Sequence, residues 1–203
     1  MCATLGVGAS RFFINPFYTI GMPVIIVSVL KAPEYAYGIS QTFVMVGVLA
    51  SPMLVMFLKK RHSDATSLFI SRIGKVIPFS ILLIVGFEGV RNALKSNIIF
   101  IIAFFSLICF FGMMFNSSGF AFLNTYFQKR VPREYLGRFA SARFMFYSIL
   151  EPLGMNCFGI LYSRSNIKYA LVLVLVGALT EATLLLRVRE KEMNTKISAE
   201  ALM

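Results

Sequence analysis

Residues 128–154 read QKRVPREYLGRFASARFMFYSILEPLG. The stretch holds a short basic connection, KRVPREYLGR, and then an apolar helix with Glu151 in its middle. A carboxyl group inside an apolar run is costly in either a soluble core or a bilayer. The chain around it decides which solvent applies. Hydrophobic residues make up 58%, charged residues 14%, and the mean hydropathy is +0.77. A soluble domain carries roughly 25% charged residues. The solvent is therefore a membrane. There a helix satisfies its own backbone groups, whereas an open sheet does not.

About 20 apolar residues span the hydrocarbon core as a helix. The apolar runs predict an all-α polytopic bundle of six spans. They lie at about 2–30, 38–58, 76–90, 98–126, 139–162 and 169–186, within a bundle covering 1–187. A charged tail, 188–203, follows. Asn15-Pro16 and Pro23 break the first span, and the fourth is long enough to tilt or to break at Asn116 to Gly119. Residues 1–10, MCATLGVGAS, lack the charged region of a signal peptide.

Loop charge gives orientation. One set of alternate loops holds Lys59, Lys60, Arg61, Arg72, Lys75, Lys129, Arg130, Arg133, Arg138, Arg143, Arg187, Arg189, Lys191 and Lys196. The other holds Lys31, Arg91, Lys95, Arg164 and Lys168, so the balance is 14 to 5 with Arg11 unassigned. The positive-inside rule puts the richer side, and with it both termini, in the cytoplasm of a plasma-membrane protein. The same placement explains the net charge of +11. These bases flank apolar spans and do not form a nucleic-acid surface, so no nucleic-acid partner is expected.

Other chemistry is sparse. Cys2, Cys109 and Cys157 form no CxxC pair, His62 is the sole histidine and lies in a basic loop, and no metal or cofactor is expected. Asn116-Ser117-Ser118 matches a glycosylation pattern but lies inside a span. No HExxH, GxSxG or Gly-rich phosphate loop occurs, so an enzyme is not expected.

The order of motifs resembles the carboxyl-terminal half of a major facilitator superfamily transporter, closest to the drug and macrolide efflux branch. FFINPFYTIGMPVIIVSVL followed by YAYGIS resembles that branch's seventh helix and the start of its eighth. Gln128, Val131-Pro132, Glu134 and Gly137-Arg138 resemble the connection between its tenth and eleventh helices. EPLG, through Pro152 and Gly154, resembles the middle of the eleventh. The segment GVLASPMLVMFLKK departs from the family's Gly-rich loop motif: Gly47 and the lysines remain, but no acid is present.

The resemblance implies a secondary transporter, with proton-coupled efflux of small amphipathic compounds along a path between two six-helix halves. One half is incomplete alone, so a second half or a second copy is the expected partner, beside the lipid, the substrate and the proton. The alternative is a non-transporting truncated or accessory membrane protein.

Candidate site residues follow from the cost of polarity at depth. Glu151 is the thirteenth residue of its span, about 18 Å from the start at 1.5 Å per residue. Arg143, Tyr147 and Glu151 repeat every four residues and so share a face, on which Gly154 follows. Two readings of Glu151 stand: a proton-linked group, or a tie to a carbonyl or another helix. Glu181 reads as a structural tie or a group snorkelling toward the cytoplasmic end. Arg11 reads as a membrane-edge anchor, with a buried partnership to Glu151 as the other reading. Asn15 and Asn116 are candidate path-lining polar groups, and Pro16, Pro152 and Gly154 are candidate helix breaks.

Overall fold

The computed structural model describes residues 2–95, 97–163 and 167–200, with side chains for 4–95, 97–162 and 167–186. Seven α-helices make the fold, and no strand occurs among the described residues. They are α1 (Cys2–Phe13), α2 (Glu34–Arg61), α3 (Asp64–Leu82), α4 (Glu88–Lys95), α5 (Ile98–Arg130), α6 (Leu136–Ser163) and α7 (Ile167–Glu200). Five helical stretches, 34–61, 64–86, 98–130, 133–162 and 167–186, are long and apolar enough to cross a membrane.

The expected first span is helical but not uniform. After α1 the chain passes Asn15-Pro16 into two π-helical stretches, Phe17–Gly21 and Val24–Val29. Pro16 and Pro23 have no N–H to give, which disfavours regular i to i−4 pairing. Wider turns replace it: Leu30 N–H donates to the Ile25 carbonyl at 2.9 Å and Ala32 N–H to that of Ile26 at 3.1 Å. The Thr19 hydroxyl donates to the Asn15 carbonyl at 3.2 Å. Lys31, at φ 58°, then reverses the chain in the left-handed region. Despite its breaks this stretch is the centre of the bundle. Phe17, Met22, Ile25 and Ile26 are fully buried, in one core with Phe79 and Leu82 of α3, Phe105 and Cys109 of α5, Phe158 of α6 and Val174 of α7.

The third span differs from expectation. It starts at Asp64, not near 76, and ends at Gly86 through a 3-10 turn, Leu83–Gly86. The Ser63 hydroxyl caps it, accepting from Thr66 N–H at 3.4 Å, and Asp64 sits in the favourable first turn. Arg72 and Lys75, expected to flank the span from the loop, are inside it. The expected loop at 91–97 contains the short helix α4, and Asn97 caps α5 by accepting from Ile99 N–H at 2.9 Å. No break interrupts α5 at Asn116–Gly119 or α6 at Pro152. In α2, Pro52 withholds a bond from the Val48 carbonyl, and the Ser51 hydroxyl supplies one at 2.7 Å. Arg164 and residues 201–203 of the expected last loop and tail lie outside the described residues, and the backbone of α7 runs on to Glu200.

Packing orders the helices as α2, α5, α3, α7, α1, α6, each touching the next. The order repeats itself. α2 packs on α5 as α6 packs on α1, α3 on α5 as α7 on α1, and α2 on α3 as α6 on α7. α3 meets α7 at the centre, while α1 barely touches α2 and α5 barely touches α6. Exchanging α1 with α5, α2 with α6 and α3 with α7 leaves this pattern of neighbours unchanged. Two glycines let one helix lie against the backbone of another. A Cβ on Gly47 would strike the Phe110 carbonyl of α5, and one on Gly154 the Phe12 carbonyl of α1. These contacts involve backbone, so a side chain there forces the helices apart.

Candidate functional site

Among the described residues two carboxylates lie inside the bundle, in different surroundings. Glu181 of α7 is sealed. Its Oε1 is 2.7 Å from Arg72 Nη1, and its Oε2 binds Lys75 Nζ, with all three side chains fully buried. Asn116 of α5 accepts from Arg72 at 3.2 Å and from Lys75 at 3.4 Å, and Ser10 of α1 accepts from Lys75 at 3.1 Å. The cluster thus joins α1, α3, α5 and α7. A Cβ on Gly119 would lie 2.5 Å from Arg72 Nε, so the missing side chain makes room for the guanidinium beside α5. A sealed pair with further hydrogen bonds is costly to assemble and more costly to break.

Glu151 of α6 is open. Its side chain is 27% exposed, and that of its partner Arg11 is 31% exposed, with Nη1 3.2 Å from Oε2. Asn15 Nδ2 donates to Glu151 Oε1 at 3.1 Å. Arg11 is therefore a partner of Glu151. The reason is local. Gly154 lets α6 lie against α1 at Phe12, which brings positions 11, 15 and 151 together. The broken helix after Ile14 places Asn15 on the same group. Phe120 links the two clusters, with Arg11 at 5.4 Å and Arg72 at 5.0 Å from its ring centre.

A cleft of about 540 Å³ opens beside Arg11, where α5 and α6 separate. Arg143 and Tyr147 also line it, whereas Glu151, expected on the same face of α6, does not. Tyr147 is itself buried, and its hydroxyl has no partner. Arg143 donates to Asn124 at 2.9 Å and lies 4.9 Å from the Phe127 ring centre. A neighbouring cleft of about 310 Å³ shares Arg143 and reaches Gln128 and Gly137 of the basic connection. In that connection Val131 ends α5, Pro132 is extended, and Arg133–Tyr135, including Glu134, form a 3-10 turn that leads into α6, where Arg138 lies in the first turn. Lys129 pairs with Asp64 and so ties this end to α3.

Arg72 and Lys75 are the residues that sequence reasoning placed outside the site. A signal for them existed. They stand three apart within LFISRIGKVIPF, which has no turn-forming cluster to make a loop, and so share one helical face. Glu181 was read as a tie or a snorkelling group. It is a tie and does not reach a surface. Among the described residues no group of His, Cys, Asp and Glu is placed to hold a metal ion.

The arrangement offers two chemistries. The sealed cluster holds helices together and exchanges nothing with solvent. Arg11 lines the cleft and its ion pair with Glu151 is partly exposed, so a proton or a charged ligand can compete for that pair. Comparison with protein-family models, with curated proteins and with solved structures finds no match.

Proposed function

We propose that this chain is one six-span half of a secondary transporter of the major facilitator type, and that Glu151 is its proton-linked group. The observation that carries the reading is the repeated packing pattern. Six spans joined by short connections alternate in direction. α5, as the fourth span, then runs opposite to α1. The two equivalent units, α1–α2–α3 and α5–α6–α7, are thus inverted copies about an axis in the membrane plane. Nested inverted three-helix repeats are how a major facilitator half is built. The first span, 2–29, supplies the sixth crossing, with its breaks covered by protein.

Further features support the same reading. α2 and α6 are the least buried candidate spans, at 22% and 17% of their apolar windows. They stand at the two ends of the packing order, as expected of surfaces that meet a second half or a second copy. Glu151 lies on one of them, about midway along its span, where a transported compound passes in such a fold. Its open ion pair with Arg11 gives a proton a place to bind at the expense of that pair. Efflux of small amphipathic compounds is the activity proposed, in the plasma membrane with both termini cytoplasmic.

The test is Glu151→Gln, which keeps the size of the side chain and removes its titration. Proteoliposomes containing the chain in its paired state are loaded with a pH-sensitive dye and given amphipathic compounds. Parent protein is expected to move protons on addition of a substrate, and Glu151→Gln to lose that flux while retaining its fold. Equal flux from both proteins between pH 6 and pH 8 would overturn the role of Glu151.

A further inference from the structure

We infer that the cleft between α5 and α6 binds an amphipathic organic anion, a small molecule carrying one carboxylate or phosphate on an apolar body. The inference deepens the transport reading and rests on it for what happens after binding. Binding itself stands on the cleft alone.

The cleft wall presents Arg11 and Arg143, and only Glu151 answers them. Arg143 has a neutral hydrogen-bond partner, Asn124, and otherwise lies near the rings of Phe127 and Tyr147. Behind Phe120 the sealed cluster adds Arg72 and Lys75 against Glu181. Together the cleft wall and the two clusters set four cations, Arg11, Arg143, Arg72 and Lys75, against two carboxylates, Glu151 and Glu181. Within apolar surroundings such an excess is weakly screened and reaches farther than in water. A cationic amphiphile entering here meets like charge, and an anion meets the missing partner.

The donors fit as well as the sign. Arg11 Nε is buried and has no hydrogen-bond partner. Tyr147 Oη, on the same wall, is also buried and unpartnered. A guanidinium presents paired N–H groups that match the two oxygens of a carboxylate or phosphate. Phe120, Phe144 and Met145 supply the apolar remainder of the wall, with Phe144 72% exposed. Flexible Met and flat aromatic surfaces accept varied apolar bodies. The cleft therefore has an anion-binding end and an adaptable apolar side.

The same head-group chemistry is available from a soluble anion or from an anionic lipid. The experiment separates them. The full chain is placed in nanodiscs of zwitterionic lipid and titrated with 2-naphthoate, 2-naphthyl phosphate and the neutral 2-naphthamide. The expected result is binding of an anionic probe at least tenfold tighter than the amide. Arg143→Gln is expected to weaken anion binding about tenfold without changing the amide, and Arg143→Lys to fall between. Thermal stability equal to the parent's checks that each variant is folded. In nanodiscs containing phosphatidylglycerol, displacement of the probe identifies lipid as the anion source, and unchanged binding identifies a soluble anion. Equal affinity for probe and amide, no anion binding, or an unchanged Arg143→Gln variant overturns the inference. Anion binding without proton flux would retain this site and sink the transport reading. Proton flux with 2-naphthylammonium but no anion binding would do the reverse.

Discussion

Replacing Glu181 by Gln removes the sole carboxylate from a sealed group of two cations. Its oxygens meet Arg72 at 2.7 Å and Lys75, and none of the three side chains is exposed. Asn116 and Ser10 remain as acceptors, but they are neutral. Breaking a buried pair by removing one partner costs about 3–5 kcal/mol, since the remaining charge stays buried without compensation. At about 2–4 °C per kcal/mol for a chain of this size, Tm falls by roughly 6–20 °C. The assay is thermal unfolding in mild detergent with a thiol-reactive dye, since Cys109 is buried in the folded bundle. Cys2 and the exposed Cys157 are first changed to Ser. The combination Glu181→Leu, Arg72→Leu and Lys75→Met removes every charge and is expected to recover most of the loss. A fall below about 3 °C for Glu181→Gln would mean that the cations are solvated or neutral, and would refute the sealed-cluster argument.

Two glycine substitutions test the packing. Gly47→Val puts a side chain on the Phe110 carbonyl, and its expected cost is about 1–3 kcal/mol, read as a lower Tm. Gly159→Ala in α6 meets nothing within 4 Å and is expected to stabilise by about 0.5–1 kcal/mol in the same assay, by restricting the unfolded chain.

Long apolar runs made the membrane class and the helical content legible, since little else accommodates 20 apolar residues in succession. Glu151 was legible for the same reason, as a carboxyl group in a span. Its pairing with Arg11 was one of two readings of that residue, and the sequence did not decide between them. Arg11 follows ten uncharged residues, and only the approach of α6 at Gly154 carries Glu151 to it. Such a contact, 140 residues apart, has no local signature. Arg72 and Lys75 were misread because charge ordinarily marks the end of a span. Here Glu181 neutralises part of it from another helix, so the span continues through both. The breaks at Pro16 and Pro23 were visible, but the wide turns that absorb them depend on burial among the other helices.

The inverted-repeat reading depends on the first, broken stretch crossing the membrane, since that crossing completes the first of the two three-helix units. The direct measurement labels single cysteines from one side of sealed vesicles with a membrane-impermeant maleimide. Cys109 and Cys157 are changed to Ser, leaving Cys2 in one variant, and Met203→Cys with Cys2→Ser gives the other. Six crossings predict that both positions label from the same side, the cytoplasmic one. Labelling of Cys2 and position 203 from opposite sides would contradict the inverted-repeat account.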